Sequence, residues 1–125
     1  MRTGRLNGET LDRAVDFGVR VLSVVAELET ARRPRRVIDQ LTGSGTSPGA
    51  QLFEANEAVS KADFVKSLGW AAKEFSETQY WLRVIIKSGW IKDSKLDPLL
   101  DETIQLLRIT ITLIARARRS RPPVQ

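Results

Sequence analysis

The sequence predicts an all-α fold, an up-and-down antiparallel four-helix bundle, and three observations lead to that prediction. Within residues 64–85, apolar side chains recur at alternating steps of four and three, which keeps one seam on one face of a helix. Three other stretches repeat the same period. Only short connections separate the four stretches, and amphipathic helices joined in this way pack as an antiparallel bundle.

Helix 1 is predicted over residues 9–31, with Asn7 or Thr10 as its N-cap. Two neighbouring apolar stripes run along it, and the second one contains Phe17. An apolar arc this wide exceeds what one partner helix can cover. Helix 1 therefore lies between two neighbours or contributes to a subunit contact, and Phe17 is our candidate residue for such a contact.

Helix 2 is predicted over residues 35–58, after Pro34, which suits the first turn of a helix. Its apolar stripe has helical spacing, but the segment TGSGTSPG inside it has the composition of a loop. Each of its glycines weakens a helix by about 1 kcal/mol, and Pro48 removes a backbone hydrogen bond. The residues alone leave two alternatives, one continuous helix or a break at 43–47.

Helix 3 is predicted over residues 61–88, because Ser60 suits an N-cap and Gly89 suits the left-handed position after a helix. Helix 4 is predicted over residues 98–118, with Asp97 as its cap and Pro98 in its first turn. Residues 119–125 have no apolar face, so we expect a flexible basic and proline-containing tail after a single domain of residues 1–118.

Helix 3 carries a second apolar feature outside its seam. At about 100° per residue, Trp70 and Trp81 lie within about 20° of each other and about 110° from the seam, with Val84 beside them. Aromatic side chains aligned in this way are covered either by a neighbouring helix or by another subunit. Both alternatives remain open, and the second one predicts an oligomer.

The stretch 44–91 resembles the centre of the four-helix-bundle proteins encoded in intervening sequences of bacterial large-subunit ribosomal RNA genes. The resemblance lies in TSPGAQLFEA, in SKADF, in Lys73-Glu74 followed by Tyr80-Trp81-Leu82, and in SGWI. That family is similar to the accessory variability protein of diversity-generating retroelements. Where the family usually has Asn-Ile-Ala, this chain has Gln51-Leu52-Phe53, so a role of that asparagine does not carry over.

The resemblance implies a continuous helix 2, a ring-like homopentamer and a possible reverse transcriptase partner. It also implies that Glu74 orders a contact beside the two tryptophans. The predicted oligomer interface consists of Phe17, Trp70, Glu74, Trp81 and Val84.

Positive charge is concentrated in two arginine clusters. Residues 1–102 carry 15 basic and 15 acidic side chains, whereas residues 103–125 carry five arginines and no acid. One cluster lies between helices 1 and 2, and the other follows helix 4, so an antiparallel bundle places them at opposite ends. The clusters comprise Arg32, Arg33, Arg35 and Arg36, and Arg116, Arg118, Arg119 and Arg121.

A ring would repeat each cluster around one rim and could hold RNA or DNA through its phosphates. No aromatic residue separates the arginines and no known reading motif appears, so little sequence specificity is expected. We therefore predict a non-enzymatic, nucleic-acid-binding oligomer, used as an accessory or adaptor protein. The alternative interpretation of the arginine clusters is a solvated helix end and a solubilising tail. The alternative function is a pure protein-interaction scaffold.

The composition removes several classes of site. The chain has no cysteine and no histidine, which excludes disulfides, thiolate metal sites and histidine-based dyads. We expect no catalytic residue, cofactor or metal. No apolar run is long enough to cross a bilayer and no hydrophobic signal segment begins the chain, so a cytoplasmic protein without a membrane partner is expected.

Paired glutamates offer an enzymatic alternative. Glu54 with Glu57, and Glu74 with Glu77, resemble the paired carboxylates with which helical nucleotide pyrophosphohydrolases hold Mg²⁺. Such pairs are also common on solvated helix surfaces, where Lys73 and Arg83 could balance them.

Overall fold

The computed structural model describes residues 6–120, which form four helices. They are α1 (Gly8–Thr30), α2 (Arg35–Asn56), α3 (Lys61–Lys87) and α4 (Asp93–Arg119). Each helix packs on the next one in the chain. The contact between α1 and α4, which closes the bundle, is smaller than the contacts between successive helices. The predicted antiparallel four-helix bundle is confirmed. Of the expected tail, Arg119 ends α4 and Ser120 follows it, and residues 121–125, which include Arg121, lie outside the described residues.

The predicted caps form at three helix ends. Asn7 Oδ1 accepts a hydrogen bond from the Thr10 N–H at 2.7 Å, and Ser60 Oγ accepts one from the Asp63 N–H at 3.1 Å. Gly89 follows α3 with φ 74°, in the left-handed region that glycine adopts without steric cost. These local signals place the boundaries of α1 and α3 within one residue of the prediction.

Helix α2 runs without interruption through its glycines and Pro48. Gly45 lies directly against Val21 of α1, and Ser44 Oγ accepts a hydrogen bond from Thr78 Oγ1 of α3 at 3.0 Å. Small residues let α2 approach both neighbours closely, so tertiary packing outweighs the poor helix propensity of the segment. The continuous-helix alternative is the one that the structure shows.

Helix α4 begins at Asp93, five residues before the predicted start at 98. Pro98 is therefore inside the helix, and Asp97 is not the cap. The additional turn buries Leu96, which lines a cleft together with Val24 of α1. The sequence prediction was wrong here because it weighed the Asp-Pro signal above this leucine.

The core contains all seven residues of the predicted α3 seam, which are Phe64, Leu68, Ala71, Phe75, Thr78, Leu82 and Ile85. Phe17 belongs to the same core, with only 1% of its surface exposed, and its ring lies 5.4 Å from that of Phe75. The prediction of Phe17 at a subunit contact is therefore corrected. Val15 and Leu22 of the other α1 stripe remain exposed, as do Val19 beside them and Phe53 of α2.

Candidate nucleic-acid interface

One end of the bundle gathers the end of α1, the start of α2, the end of α3 and the start of α4. Two helices finish there with the same turn. After α1, Arg33 N–H donates to Leu28 O at 3.0 Å and Arg32 N–H donates to Glu29 O. After α3, Trp90 N–H donates to Ile85 O and Gly89 N–H donates to Ile86 O in the same pattern. Arg32 has φ 56° at the position that Gly89 occupies in the second turn. A left-handed backbone costs a non-glycine residue roughly 1 kcal/mol, so an arginine is held here at a steric cost.

The four arginines of this end have different surroundings. Arg35 donates to Glu29 at 3.1 Å and to Asp39 at 3.3 Å. These hydrogen bonds, the one to Glu29 first, raise the pKa of its guanidinium. Arg33 lies over the ring of Trp90, with its guanidinium carbon 5.0 Å from the ring centroid. Its Nε is buried without a hydrogen-bond partner among residues 6–120. Arg33 and Arg35 are thus largely committed to the protein itself.

Arg32 and Arg36 differ from these two. Both are exposed, and neither side chain forms an ion pair or hydrogen bond with any residue in the described part of the chain. They are available to an external anion. Lys87 at the end of α3 and Lys92 before α4 are exposed at the same end and are unpaired within residues 6–120.

The first turn of α2 adds to this positive potential. Its N-cap is Pro34, no side chain caps it, and its first turn contains no acidic residue. Unpaired N–H groups and the helix dipole make such a terminus favourable to anions. The site therefore combines free cations with the positive end of a 22-residue helix.

Sequence reasoning did not include Lys87, Trp90 and Lys92 in this site. They follow the arginine cluster by more than fifty residues and reach it only because α3 ends where α2 begins. The predicted stop at Gly89 was the available signal, since an antiparallel bundle returns that stop to the arginine end. No aromatic residue separates the arginines in the sequence, but the fold brings Trp90 against Arg33.

The second arginine cluster lies at the opposite end. Arg116, Arg118 and Arg119 occupy the last turn of α4 and are exposed. Lys61 Nζ, at the start of α3, donates to Ser120 O at 2.7 Å beside them. The carboxylates of Glu54, Glu57 and Asp63 lie at this end as well, so its charge is mixed.

The predicted aromatic surface of α3 is only partly covered by its own chain. Trp70 is 46% exposed, and Lys73 Nζ lies 4.9 Å from its ring centroid. Trp81 packs against the edge of the core and donates through Nε1 to Glu77 at 3.3 Å. Val84 is half-buried beside it. The protomer therefore covers Trp81 and leaves much of Trp70 open.

Glu74 lies between the two tryptophans. Partial burial raises the pKa of its carboxyl group, the charge of Glu77 raises it further, and Lys73 partly opposes both effects. The ionised carboxylate is consequently less stable here than in water, and a nearby cation would stabilise it.

The glutamates of the enzymatic alternative do not assemble into one site. Glu54 and Glu57 line an open cleft of about 500 Å³ with Asp63 and Trp70, and Glu74 and Glu77 are absent from its lining. Within residues 6–120, no group of three or more acidic side chains is placed to hold a metal ion.

Membrane insertion finds no support in the described residues. None of the four helices there has both the length and the apolar character needed to cross a bilayer.

Comparison with known proteins identifies relatives of the same fold. Residues 7–112 match the family described as 23S rRNA-intervening sequence protein. A crystal structure from Bacteroides thetaiotaomicron VPI-5482, described as a protein of unknown function from the S23 ribosomal protein family, superposes with a TM-score of 0.80. The two are 30% identical, over 84% of this chain and 97% of that one. Among curated proteins, none matches significantly.

Proposed function

Because this chain belongs to the 23S rRNA-intervening sequence protein family, we propose that it is a non-enzymatic, self-associating bundle that binds RNA or DNA with little sequence specificity. The observation that supports this function is the basic end described above. Arg32 and Arg36 are exposed and unpaired in the described residues, beside the uncapped start of α2. Lys87 and Lys92 extend that surface.

Phosphate contacts explain the low specificity. Arginine, lysine and helix N-termini bind the sugar-phosphate backbone, which is the same for every sequence. Each neutralised phosphate releases counterions, so the affinity falls steeply as salt rises. A ring of copies, a homopentamer by the family resemblance, would multiply a small cationic surface without new contacts inside the protomer.

The proposal includes an accessory role in the cytoplasm, in which the bundle carries a second protein, such as a reverse transcriptase, onto RNA. The exposed side chains of Val15, Val19, Leu22 and Phe53 support a protein contact, since they form an apolar surface between α1 and α2. A pure protein-interaction scaffold is the second candidate, and this surface is the observation that favours it.

Replacing the unpaired arginines should lower RNA affinity if the bundle binds nucleic acid, but not if it is only a protein-interaction scaffold. Arg32→Ala/Arg36→Ala should weaken binding of a labelled single-stranded RNA about tenfold at roughly 50 mM salt, because phosphate contacts are lost. The slope of log affinity against log salt should become shallower by about 1 for each phosphate contact removed per complex. Fluorescence anisotropy over a salt series measures both quantities. Arg116→Gln/Arg118→Gln/Arg119→Gln tests the opposite end in the same assay.

Arg20→Ala/Lys66→Ala is the matched control, because it removes the same charge from two exposed residues outside both clusters. It should retain most of the affinity. The native mass of each variant is measured in parallel, so that lost assembly is not mistaken for lost contacts. Equal RNA binding by wild type and both cluster variants would contradict the nucleic-acid function and leave the scaffold.

A further inference from the structure

An open groove lies between the start of α1 and the second half of α4, at the end of the bundle away from Arg32 and Arg36. Its volume is about 490 Å³, which is in the range of pockets that hold small organic ligands. Leu6, Ile109 and Leu113 give it an apolar side. The phosphate contacts proposed for Arg32 and Arg36 do not involve this groove, so it requires an explanation of its own.

Thr10 is a buried threonine whose hydroxyl group has no hydrogen-bond partner among residues 6–120. The residue lines the groove and is only 8% exposed. Its backbone N–H donates to Asn7, but its Oγ1 forms no hydrogen bond within the described part of the chain. The other buried threonines, Thr78, Thr103 and Thr110, each donate to a backbone carbonyl of their own helix, at 3.0, 2.8 and 2.8 Å. A buried hydroxyl without a partner is unfavourable, and a ligand in the groove would supply the partner that Thr10 lacks.

The α4 side of the groove is cationic. Arg108, Thr112 and Arg116 follow one another at steps of four residues, which places the three side chains on one face of the helix. Both arginines are exposed, and neither side chain forms an ion pair or hydrogen bond within residues 6–120. No acidic residue is among the described residues that line the groove. The two guanidinium groups are therefore available to an anion from solvent.

An ion pair lies beside the inner end of the groove and does not compete for these cations. Arg13, one turn after Thr10, donates to Glu102 at 3.0 and 2.7 Å and to Gln105 at 3.2 Å. Gln105 precedes Arg108 by three residues, so this pair crosses from α1 to α4 next to the groove. Because Arg13 satisfies the Glu102 carboxylate, Arg108 has no nearby acid on its own helix to neutralise it.

We propose that this groove binds a nucleoside phosphate. Arg116 binds the phosphate group, because α1 begins beside the last turns of α4 and the positive end of its dipole adds to the charge there. The base lies against Ile109 and Leu113, where the planar guanidinium of Arg108 can stack on it. The Thr10 hydroxyl forms a hydrogen bond with the base or the sugar.

Simpler ligands match only part of the groove. Residues 108 and 116 are separated by about 12 Å along the helix, which exceeds the size of one phosphate group. An inorganic anion would use the arginines and leave the apolar side and Thr10 without a contact. A purely apolar ligand would leave both guanidinium groups unpaired in a less polar environment, which is unfavourable. A nucleoside phosphate has an anionic part, a planar part and hydrogen-bonding groups, so it uses all three features.

Calorimetric titration with adenosine monophosphate (AMP), adenosine and inorganic phosphate tests the ligand class. AMP should bind at least about tenfold more tightly than either half, because only AMP uses both the arginines and the apolar side. Arg108→Ala and Arg116→Ala should each weaken AMP binding about tenfold. Arg20→Ala, the same change at an exposed position outside the groove, should keep the wild-type affinity. Equal affinities for AMP and inorganic phosphate would overturn the nucleoside assignment.

The hydroxyl of Thr10 permits a second test. Thr10→Val should weaken AMP binding about fivefold, and it should not lower the melting temperature of the free protein, because no hydrogen bond within residues 6–120 is lost. Thr110→Val is the matched control, since its hydroxyl already donates to Leu106 O and the residue is not in the lining of the groove. This control should keep its AMP affinity, and circular dichroism shows whether each variant keeps its helices. Wild-type AMP affinity in Thr10→Val and in both arginine variants would overturn the proposal.

Competition distinguishes two sources of the nucleotide. A single-stranded RNA with a 5′-phosphate displaces AMP if the groove receives the end of a strand. If the same RNA binds the protein and leaves AMP affinity unchanged, the ligand is a free nucleotide, and either result supports the site. A wild type that binds no AMP would overturn it. That outcome does not affect the RNA-binding measurement on Arg32 and Arg36, so this proposal and the proposed function fail separately.

Discussion

Arg32 shows how a single residue can oppose the stability of its own turn. It occupies the left-handed position after α1 with φ 56°, whereas the equivalent position after α3 contains Gly89. The two turns have the same backbone hydrogen bonds, so the comparison is internal to one molecule. An arginine at this position places a free cation at the edge of the basic end, where glycine would place none.

Replacing that arginine should improve stability and weaken function. Arg32→Gly is expected to raise the free energy of unfolding by about 0.5–1 kcal/mol, since the steric cost exceeds the entropy that glycine loses. RNA affinity should fall at the same time. Urea unfolding and anisotropy measure the two effects.

Gly89→Ala provides the opposite case, because it introduces a side chain at φ 74° and should destabilise the fold by about 1 kcal/mol. If Arg32→Gly left RNA affinity unchanged, Arg32 would have no part in the interface.

At the scale of the helix, α2 shows that packing can outweigh propensity. Gly43 and Gly45 stand two residues apart in a segment that local preferences assign to a loop. A side chain at Gly45 would overlap Val21, whereas no atom lies within 4 Å of the place where a Cβ on Gly43 would be. Glycine is therefore required at one of the positions for close approach and is only tolerated at the other.

The two glycines should respond in opposite directions to the same substitution. Gly45→Ala is expected to destabilise the protein by about 1–3 kcal/mol through overpacking. Gly43→Ala should stabilise it by up to about 1 kcal/mol through helix propensity. Thermal and urea unfolding distinguish them.

Val21→Ala in the Gly45→Ala background should recover part of the loss, because it removes the methyl groups that clash. Equal effects of the two glycine substitutions would mean that close approach to α1 does not set the requirement.

At the scale of the whole molecule, the bundle is least tightly packed between its first and last helices. Arg13 of α1 donates to both oxygens of Glu102 on α4, at 3.0 and 2.7 Å, and to Gln105 at 3.2 Å. The Glu102 bond is the main reason that the pKa of Arg13 is raised. A second pair, Lys95 with Glu27, is more exposed to solvent.

Arg13→Ala should therefore destabilise the protein by about 1–2 kcal/mol, because it leaves a partly buried carboxylate without its partner. Lys95→Ala should change stability by less than about 0.5 kcal/mol, since exposed pairs contribute little. Urea unfolding compares the two. Equal losses would indicate that burial does not distinguish the two pairs.

Several features could be predicted from the sequence because they depend on near neighbours. The period of four and three identified the α3 seam, and capping residues located the ends of α1 and α3. Both signals are local, since a helix face and a cap are defined within a few residues. The arginine clusters, and their separation in an antiparallel bundle, follow from sequence order alone. The early start of α4 was missed because a local proline signal competed with a buried leucine.

Other features depended on which helices become neighbours. Periodicity defines a face of a helix but does not name the partner that covers it, so Phe17 could be assigned to the core only when Phe75 was found against it. The sorting of the arginines into paired and free side chains required the positions of Glu29, Asp39 and Trp90. By itself, the sequence determined the four helices, their faces and the distribution of charge. Tertiary structure alone decided which faces are buried and which cations remain available, because both depend on contacts between residues far apart in the chain.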